Sequence, residues 1–131
     1  IAAKAAHPDR TVVCFAGDGD LQMTIQELGT ARQAGCEPIV LVFDNGMYGT
    51  IRAHQERNYP GRISGTPIDN PDFVAIAQAY GMHAEAVQET DDFGPAFERA
   101  IASPTGALLH LHMPDEMLTP WESINQARDR T

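Results

Sequence analysis

Positive charge is what this chain of 131 residues has least of: nine Lys and Arg stand against eighteen Asp and Glu, for a formal net charge of −9. Lys4 is the sole lysine, and the arginines form no basic cluster. Neutralising a phosphate backbone takes several cations on one face, so a nucleic-acid ligand is excluded. Long apolar runs are missing too; none approaches the roughly 18 residues a membrane helix needs, so no membrane partner is expected. The first residues show no basic stretch followed by an apolar core, and no signal peptide is expected. Cysteine is scarce: Cys14 and Cys36 lie in apolar or mid-element settings that fit reduced, cytoplasmic thiols better than a disulfide. The remaining composition, 43% hydrophobic and 21% charged, is that of an ordinary globular chain, and its length allows one domain at most.

The chain opens without Met on Ile1-Ala2-Ala3-Lys4-Ala5-Ala6, strong helix formers that run to a proline stop at Pro8. This reads as the tail of a helix whose beginning is missing. Two short apolar runs follow, Thr11–Phe15 and Pro38–Phe43, both β-branched and neither alternating. That is the pattern of strands covered on both faces in a parallel sheet. Between them Leu21, Ile25 and Leu28 form one apolar stripe, predicting a helix over 21–34 that ends near Gly35. A strand–loop–helix–strand unit results.

The stretch from Asn45 to Asn70 is polar and rich in Gly and Pro, with a helical turn expected around Gly49–Glu56. A loop of this length in one domain is usually functional. Asn70-Pro71-Asp72 reads as an N-cap, a first-turn proline and an early acid for a helix through Ala79, which Gly81 stops. His83–Val87 reads as a strand, Asp92–Ala102 as a helix and Ala107–Met113 as the last strand. The polar tail after Pro114 carries a short helix from Trp121. The expected fold is α/β, three-layered α/β/α, with a mostly parallel sheet.

In such sheets ligands bind beyond the carboxyl ends of the strands. The first strand runs out into Gly17-Asp18-Gly19-Asp20 and the second into Asp44-Asn45-Gly46. As a dinucleotide fingerprint the first loop fails, because Gln22 replaces the third glycine and two carboxylates stand where pyrophosphate would sit. Like charges about 4 Å apart cost roughly 1 kcal/mol in water and several in a cleft. A divalent cation between them reverses the sign. Mg²⁺ takes oxygen ligands in an octahedron, a few from protein and the rest from phosphates and water. Asp18 offers a carboxylate, Asn45 an amide oxygen, and the backbone just after Asn45 a carbonyl. Gly17 and Gly19 allow close backbone approach, and the following helix N-terminus offers N–H groups to an anion. Either loop alone reads equally as a turn; the two together, each closing a buried strand, point to a shared ligand.

Gly17-Asp18-Gly19 followed by Asn45 resembles the bipartite motif of thiamine-diphosphate-dependent enzymes. Gln22-Met23-Thr24-Ile25-Gln26-Glu27-Leu28 and Pro71-Asp72-Phe73-Val74 resemble their acetolactate synthase branch, and the likeness covers nearly the whole chain. It implies the thiamine-diphosphate-binding fold, truncated at its N-terminus, and a C-terminal diphosphate-binding domain spanning 1–131 of a larger multidomain enzyme. It further implies thiamine diphosphate and Mg²⁺ as cofactors, with Asp18, Asn45 and the Met47 carbonyl on the metal. Gly17, Gly19, Asp20, Tyr48 and Gly49 would complete the cofactor contacts. The implied activity is that of a 2-oxo-acid decarboxylase or carboligase, a lyase or transferase in which the cofactor serves as electron sink.

The glutamate that activates the cofactor in this family lies on a separate domain, so the chain alone is expected to anchor the diphosphate and remain inert. The expected partners are the 2-oxo-acid substrate, other domains of the same enzyme, and further copies in a homo-oligomer. Three positions depart from the branch. Asp44 stands for the first Asn of the terminal pair, Asp20 for a small residue, and His54 for a tryptophan that helps select the second keto acid. His54 speaks for another decarboxylase or carboligase as strongly as for acetolactate synthase.

Two other classes share the pattern of strand-end acids. A receiver-like signalling domain binds Mg²⁺ there but needs a lysine closing a late strand, where this chain has His112-Met113-Pro114. A nucleotide-binding oxidoreductase domain is opposed by Gln22. Met47, Tyr48 and His54 could line the substrate side. His110 and His112 lie on one strand face, where metal ligation is conceivable. Arg52, Arg57 and Arg62 are expected in solvent or at a subunit contact, and Met113, Met117 and Trp121 are expected to dock the tail on another domain.

Overall fold

The computed structural model describes residues 1–119 and 121–129. A short helix α1 (Ala2–Ala6) precedes strand β1 (Val13–Gly17), followed by helices α2 (Asp18–Thr24) and α3 (Glu27–Ala34) and strand β2 (Ile39–Asp44). The single helix expected over 21–34 is thus two. The break falls at Ile25 and Gln26, whose ψ angles of −27° and −20° are those of a 3₁₀ turn. Leu28 and Gly29 accordingly bond back three residues, to Ile25 and Gln26. Helix α3 ends on Gly35 at φ +61°, the left-handed C-cap that glycine adopts without strain.

Helix α4 (Gly49–Asn58) leads through a loop to α5 (Phe73–Ala79), strand β3 (His83–Val87), a 3₁₀ turn over Thr90–Asp92, helix α6 (Phe93–Ala102) and strand β4 (Ala107–His112). The cap of α5 is Asp72, whose carboxylate accepts from Ala75 N at 2.9 Å. Asn70, expected to cap it, is free for other work. The tail folds as an antiparallel pair, β5 (Met117–Thr119) with β6 (Glu122–Ser123), and a last helix α7 (Ile124–Arg128).

Four strands form one parallel sheet in the order β1-β2-β4-β3. Leu21, Leu28, Phe73 and Ala77 pack on one face against Val40, Val42 and Leu108. Ala96 and Ala100 of α6 pack on the other against Ile39, Leu41 and Leu109. Helices on both faces make the three layers expected.

Cover on both faces holds for β2, buried along its first four residues, and fails for β1. β1 is an edge strand; Cys14 is exposed and Phe15 is 72% exposed. On the face of Phe15 the reason is geometric, since α6 packs chiefly over β3 and β4. Both cysteines are free thiols. Among the described residues no helix is long and apolar enough to cross a membrane.

Arg52 is not solvated as expected. It is buried and bonds Glu56 one helical turn away, with Nε at 2.7 Å from Oε1. Glu56, itself 1% exposed, also takes Arg128 of α7 through Nε at 2.8 Å and the Gly61 N–H at 2.8 Å. Arg57 pairs with Glu122 of β6, and Arg62 stacks over the Tyr59 ring. These ion pairs fasten α7 and β6 to α4.

Candidate functional site

The register of the two central loops decides where the site forms. β1 and β2 are parallel neighbours with Gly17 paired to Phe43, so the residues that follow them leave the same sheet edge. Asp18 opens α2 and is buried, 3% exposed. Its Oδ1 accepts from Gly19 N at 2.8 Å, and its Oδ2 accepts from Gly46 N at 3.0 Å and Asn70 Nδ2 at 2.7 Å. Burial pushes the Asp18 carboxyl above its ordinary value of 3.8, and neighbouring Asp44 pushes the same way. Asp44 is also pushed up by burial, but His110 and the Gly46 N–H outweigh that and hold it below the ordinary value. Asp20 turns back, its Oδ2 accepting from Gly17 N at 3.2 Å.

The loop after β2 is built by pairing with a distant segment. Ile68 N donates to Gly46 O at 2.8 Å, Tyr48 N donates to Thr66 O at 2.9 Å, and Met47 bridges Pro67. Gly46 stands at φ +67°, a turn conformation that side chains rarely adopt. Asn45 is held at both ends of its amide: Nδ2 donates to Met117 O at 3.0 Å, and Oδ1 accepts from Met47 N at 3.3 Å. Tyr48 lies flat against Gly19, where an added Cβ would sit 2.5 Å from the ring. Gly49 meets the Leu118 carbonyl, 2.9 Å from such a Cβ.

These loops surround a cavity of about 780 Å³. All eight residues singled out in the sequence line it: Gly17, Asp18, Gly19 and Asp20 on one side, Asn45, Met47, Tyr48 and Gly49 on the other. His54 does not; it is exposed on α4. Met113 and Met117, expected to dock on another domain, line this cavity together with Leu118. Trp121 is 85% exposed and touches none of this.

The residue that sequence reasoning missed is Asn70. Its amide nitrogen bridges Asp18 Oδ2 and Asp44 Oδ1, each at 2.7 Å, while its oxygen accepts from Gln22 Nε2 at 2.6 Å. An Asn before Pro reads first as a cap, and nothing local marks it as a link between two acids.

Loops meeting at the carboxyl edge of a parallel sheet, around a buried acid and a cavity, define an α/β binding domain of the doubly wound kind. The family described as thiamine pyrophosphate enzyme, C-terminal TPP binding domain, matches residues 1–111, and the chain belongs to it. The acetolactate synthase isozyme 2 large subunit of Escherichia coli is 34% identical over 125 residues, 95% of this chain and 23% of that protein. The acetolactate synthase large subunit of Buchnera aphidicola (from Acyrthosiphon pisum) is 42% identical over 90 residues, 68% of this chain and 16% of the relative.

Among solved structures, the thiamine diphosphate-dependent 4-hydroxybenzoylformate decarboxylase of Rhodococcus jostii matches with a TM-score of 0.80. It is 31% identical, over 87% of this chain and 22% of that one. The chain therefore spans less than a quarter of the relatives it matches. Family membership sets aside the receiver-like and oxidoreductase readings.

Proposed function

We propose that the cavity holds the diphosphate end of thiamine diphosphate through Mg²⁺, as one domain of a larger 2-oxo-acid decarboxylase or carboligase of the acetolactate synthase-like group. The observation that carries this reading is Asp18. A carboxylate offers about four acceptor positions. Gly19, Gly46 and Asn70 occupy three of them, all as neutral donors, and leave one on Oδ1. A buried negative charge with neutral partners alone is costly, and a cation at the open position offsets that cost. The Asn45 amide oxygen and the Met47 carbonyl complete an all-oxygen donor set, which suits a hard cation.

The other residues have parts in the same scheme. The Met117 carbonyl takes the Asn45 nitrogen and so fixes which end of the amide serves as ligand. Gly17 and Gly19 let backbone come close to the anion, and Tyr48 and Leu118 keep water from the ion. When bound, thiamine diphosphate supplies the electron sink for 2-oxo-acid decarboxylation. Met113, Met117 and Ile51 give the remaining wall an apolar surface suited to an apolar acyl substituent.

Among the described residues no glutamate lines the cavity, which supports an activating carboxylate from another domain and an isolated chain that binds without turnover. The open edge and face of β1, with Phe15 uncovered, support cover by the parent enzyme's other domains or by a further copy in an oligomer, in the cytoplasm.

Calorimetric titration with thiamine diphosphate, with and without Mg²⁺, tests the reading. Binding is expected only with Mg²⁺ and is expected to vanish in Asp18→Ala. Silence both here and in a protein extended upstream of Ile1 would overturn it.

A further inference from the structure

We propose that Asp44, His110 and His112 form a second cation site, for a borderline divalent transition ion such as Zn²⁺, distinct from the oxygen donors around Asp18. Strand register brings the three together. His110 and His112 are two apart on β4 and so project to the same face, and Asp44 of β2 pairs directly with His112. One ligand atom from each lies within 4.8 Å of the others.

The donor set chooses the metal. Two imidazoles and one carboxylate are the protein ligands of an open, three-ligand zinc site, with water in the fourth position. Mg²⁺ favours oxygen and keeps its waters, so hardness sorts the two ions between the two sites.

Two of the three ligands are already fixed. Asp44 Oδ1 accepts from Gly46 N at 2.9 Å and Asn70 Nδ2 at 2.7 Å, which leaves Oδ2 directed at His110 Nε2, 2.7 Å away. His110 is 8% exposed and stands edge-on to the Phe73 ring, with centroids 5.3 Å apart. Such outer partners orient metal ligands in known sites. His112 is exposed, and its ring centroid is 4.2 Å from that of His110. It is the movable ligand on the solvent side, where an ion enters. Tetrahedral bonds of about 2.0–2.2 Å put ligand atoms roughly 3.4 Å apart. An arriving ion therefore opens the Asp44–His110 contact by less than 1 Å, on the order of the slack a single rotamer supplies, and draws His112 inward.

The test uses the untagged chain, stripped with chelator, in millimolar Mg²⁺. Zn²⁺ is titrated calorimetrically, and Co²⁺ is followed by its visible absorption. One Zn²⁺ per chain and an intense tetrahedral Co²⁺ band are expected. His112→Ala, an exposed change that leaves the fold intact by thermal melt, is expected to weaken binding at least about tenfold and abolish the band.

No stoichiometric binding would overturn the proposal, as would full binding in His112→Ala. So would displacement by Mg²⁺, which would place the ion among the oxygen donors instead. The outcome is independent of whether thiamine diphosphate binds.

Discussion

Asn45 donates from its side-chain nitrogen to the carbonyl oxygen of Met117, 3.0 Å away and 72 positions along the chain. The bond ties the loop after β2 to the tail strand β5. In Asn45→Asp a carboxylate oxygen would face that carbonyl, acceptor against acceptor, and the tail should lift. Faster amide exchange at Leu118 and Thr119 is expected, with slow exchange kept at Leu108 and Leu109 in the sheet. Equal protection at the tail in both proteins would show that the bond does not hold it.

Gly19→Ala should damage the cavity more than the fold. The new methyl would lie 2.5 Å from Tyr48 Cε1 and 3.1 Å from Ile68 Cδ1. The Tyr48 ring lines the cavity and is exposed, so it can give way only by changing the cavity wall. A loss of about 1–3 kcal/mol in chemical denaturation is expected from the overpacking. Combining it with Tyr48→Ala should cost less than the sum of the two single changes. Strict additivity would count against the contact.

Glu56 governs stability in acid. Its bond from Arg128, the largest cause, together with Gly61 N and Arg52, outweighs burial and holds its carboxyl down to about 2 from an ordinary 4.5. A carboxyl depressed in the folded state stabilises fully above the unfolded value, and that stability fades as pH falls from about 5 toward 2. Melting temperature should drop across this window in the parent protein and less steeply in Glu56→Gln. At neutral pH the substitution leaves Arg52 buried without its anion and should cost about 3–5 kcal/mol. A melting curve of the same slope in both proteins would contradict this.

Two glycines should respond unequally to the same methyl. Gly106 stands at φ +67°, and a Cβ there would lie 2.5 Å from Glu37 Cβ and 2.9 Å from Pro38 O. Gly106→Ala should lose on the order of 2 kcal/mol or more from strain and clash. Gly94, in the first turn of α6, has nothing within 4 Å of such an atom beyond its chain neighbours and its own helix backbone. Pro95 follows it, however, and disfavours a Cβ on a helical residue, so Gly94→Ala should change stability by less than about 0.5 kcal/mol. Urea melts of the two variants decide it.

The sheet and the two acidic loops were legible because their causes are local. Apolar β-branched runs specify β1 and β2, and Gly17-Asp18-Gly19 and Asn45-Gly46 punctuate strand ends whatever surrounds them. Position 70 was not legible, since Asn before Pro is a good cap and only the fold shows Asp72 capping while Asn70 joins two acids. The helix over 21–34 has an unbroken apolar stripe, so its break at Ile25 leaves no mark in the pattern. Arg52 looked like a solvated charge although Glu56 stands one helical turn on, because Arg128, which also bonds Glu56, comes from the far end of the chain. The tail hairpin was missed for the same reason, its order coming from ion pairs and from the Asn45 bond rather than from apolar periodicity.

That distance along the chain has a consequence for the order of assembly. β1 and β2 pair across the short α2–α3 connection, whereas the ion pairs that bring the tail to α4 span 65 and 72 positions. Closing loops of that size costs entropy before any contact offsets it, which places this wall late in folding. A nascent chain released before Met117 would carry a finished sheet and an unfinished pocket. Its binding competence and its resistance to unfolding would then be two separately acquired properties.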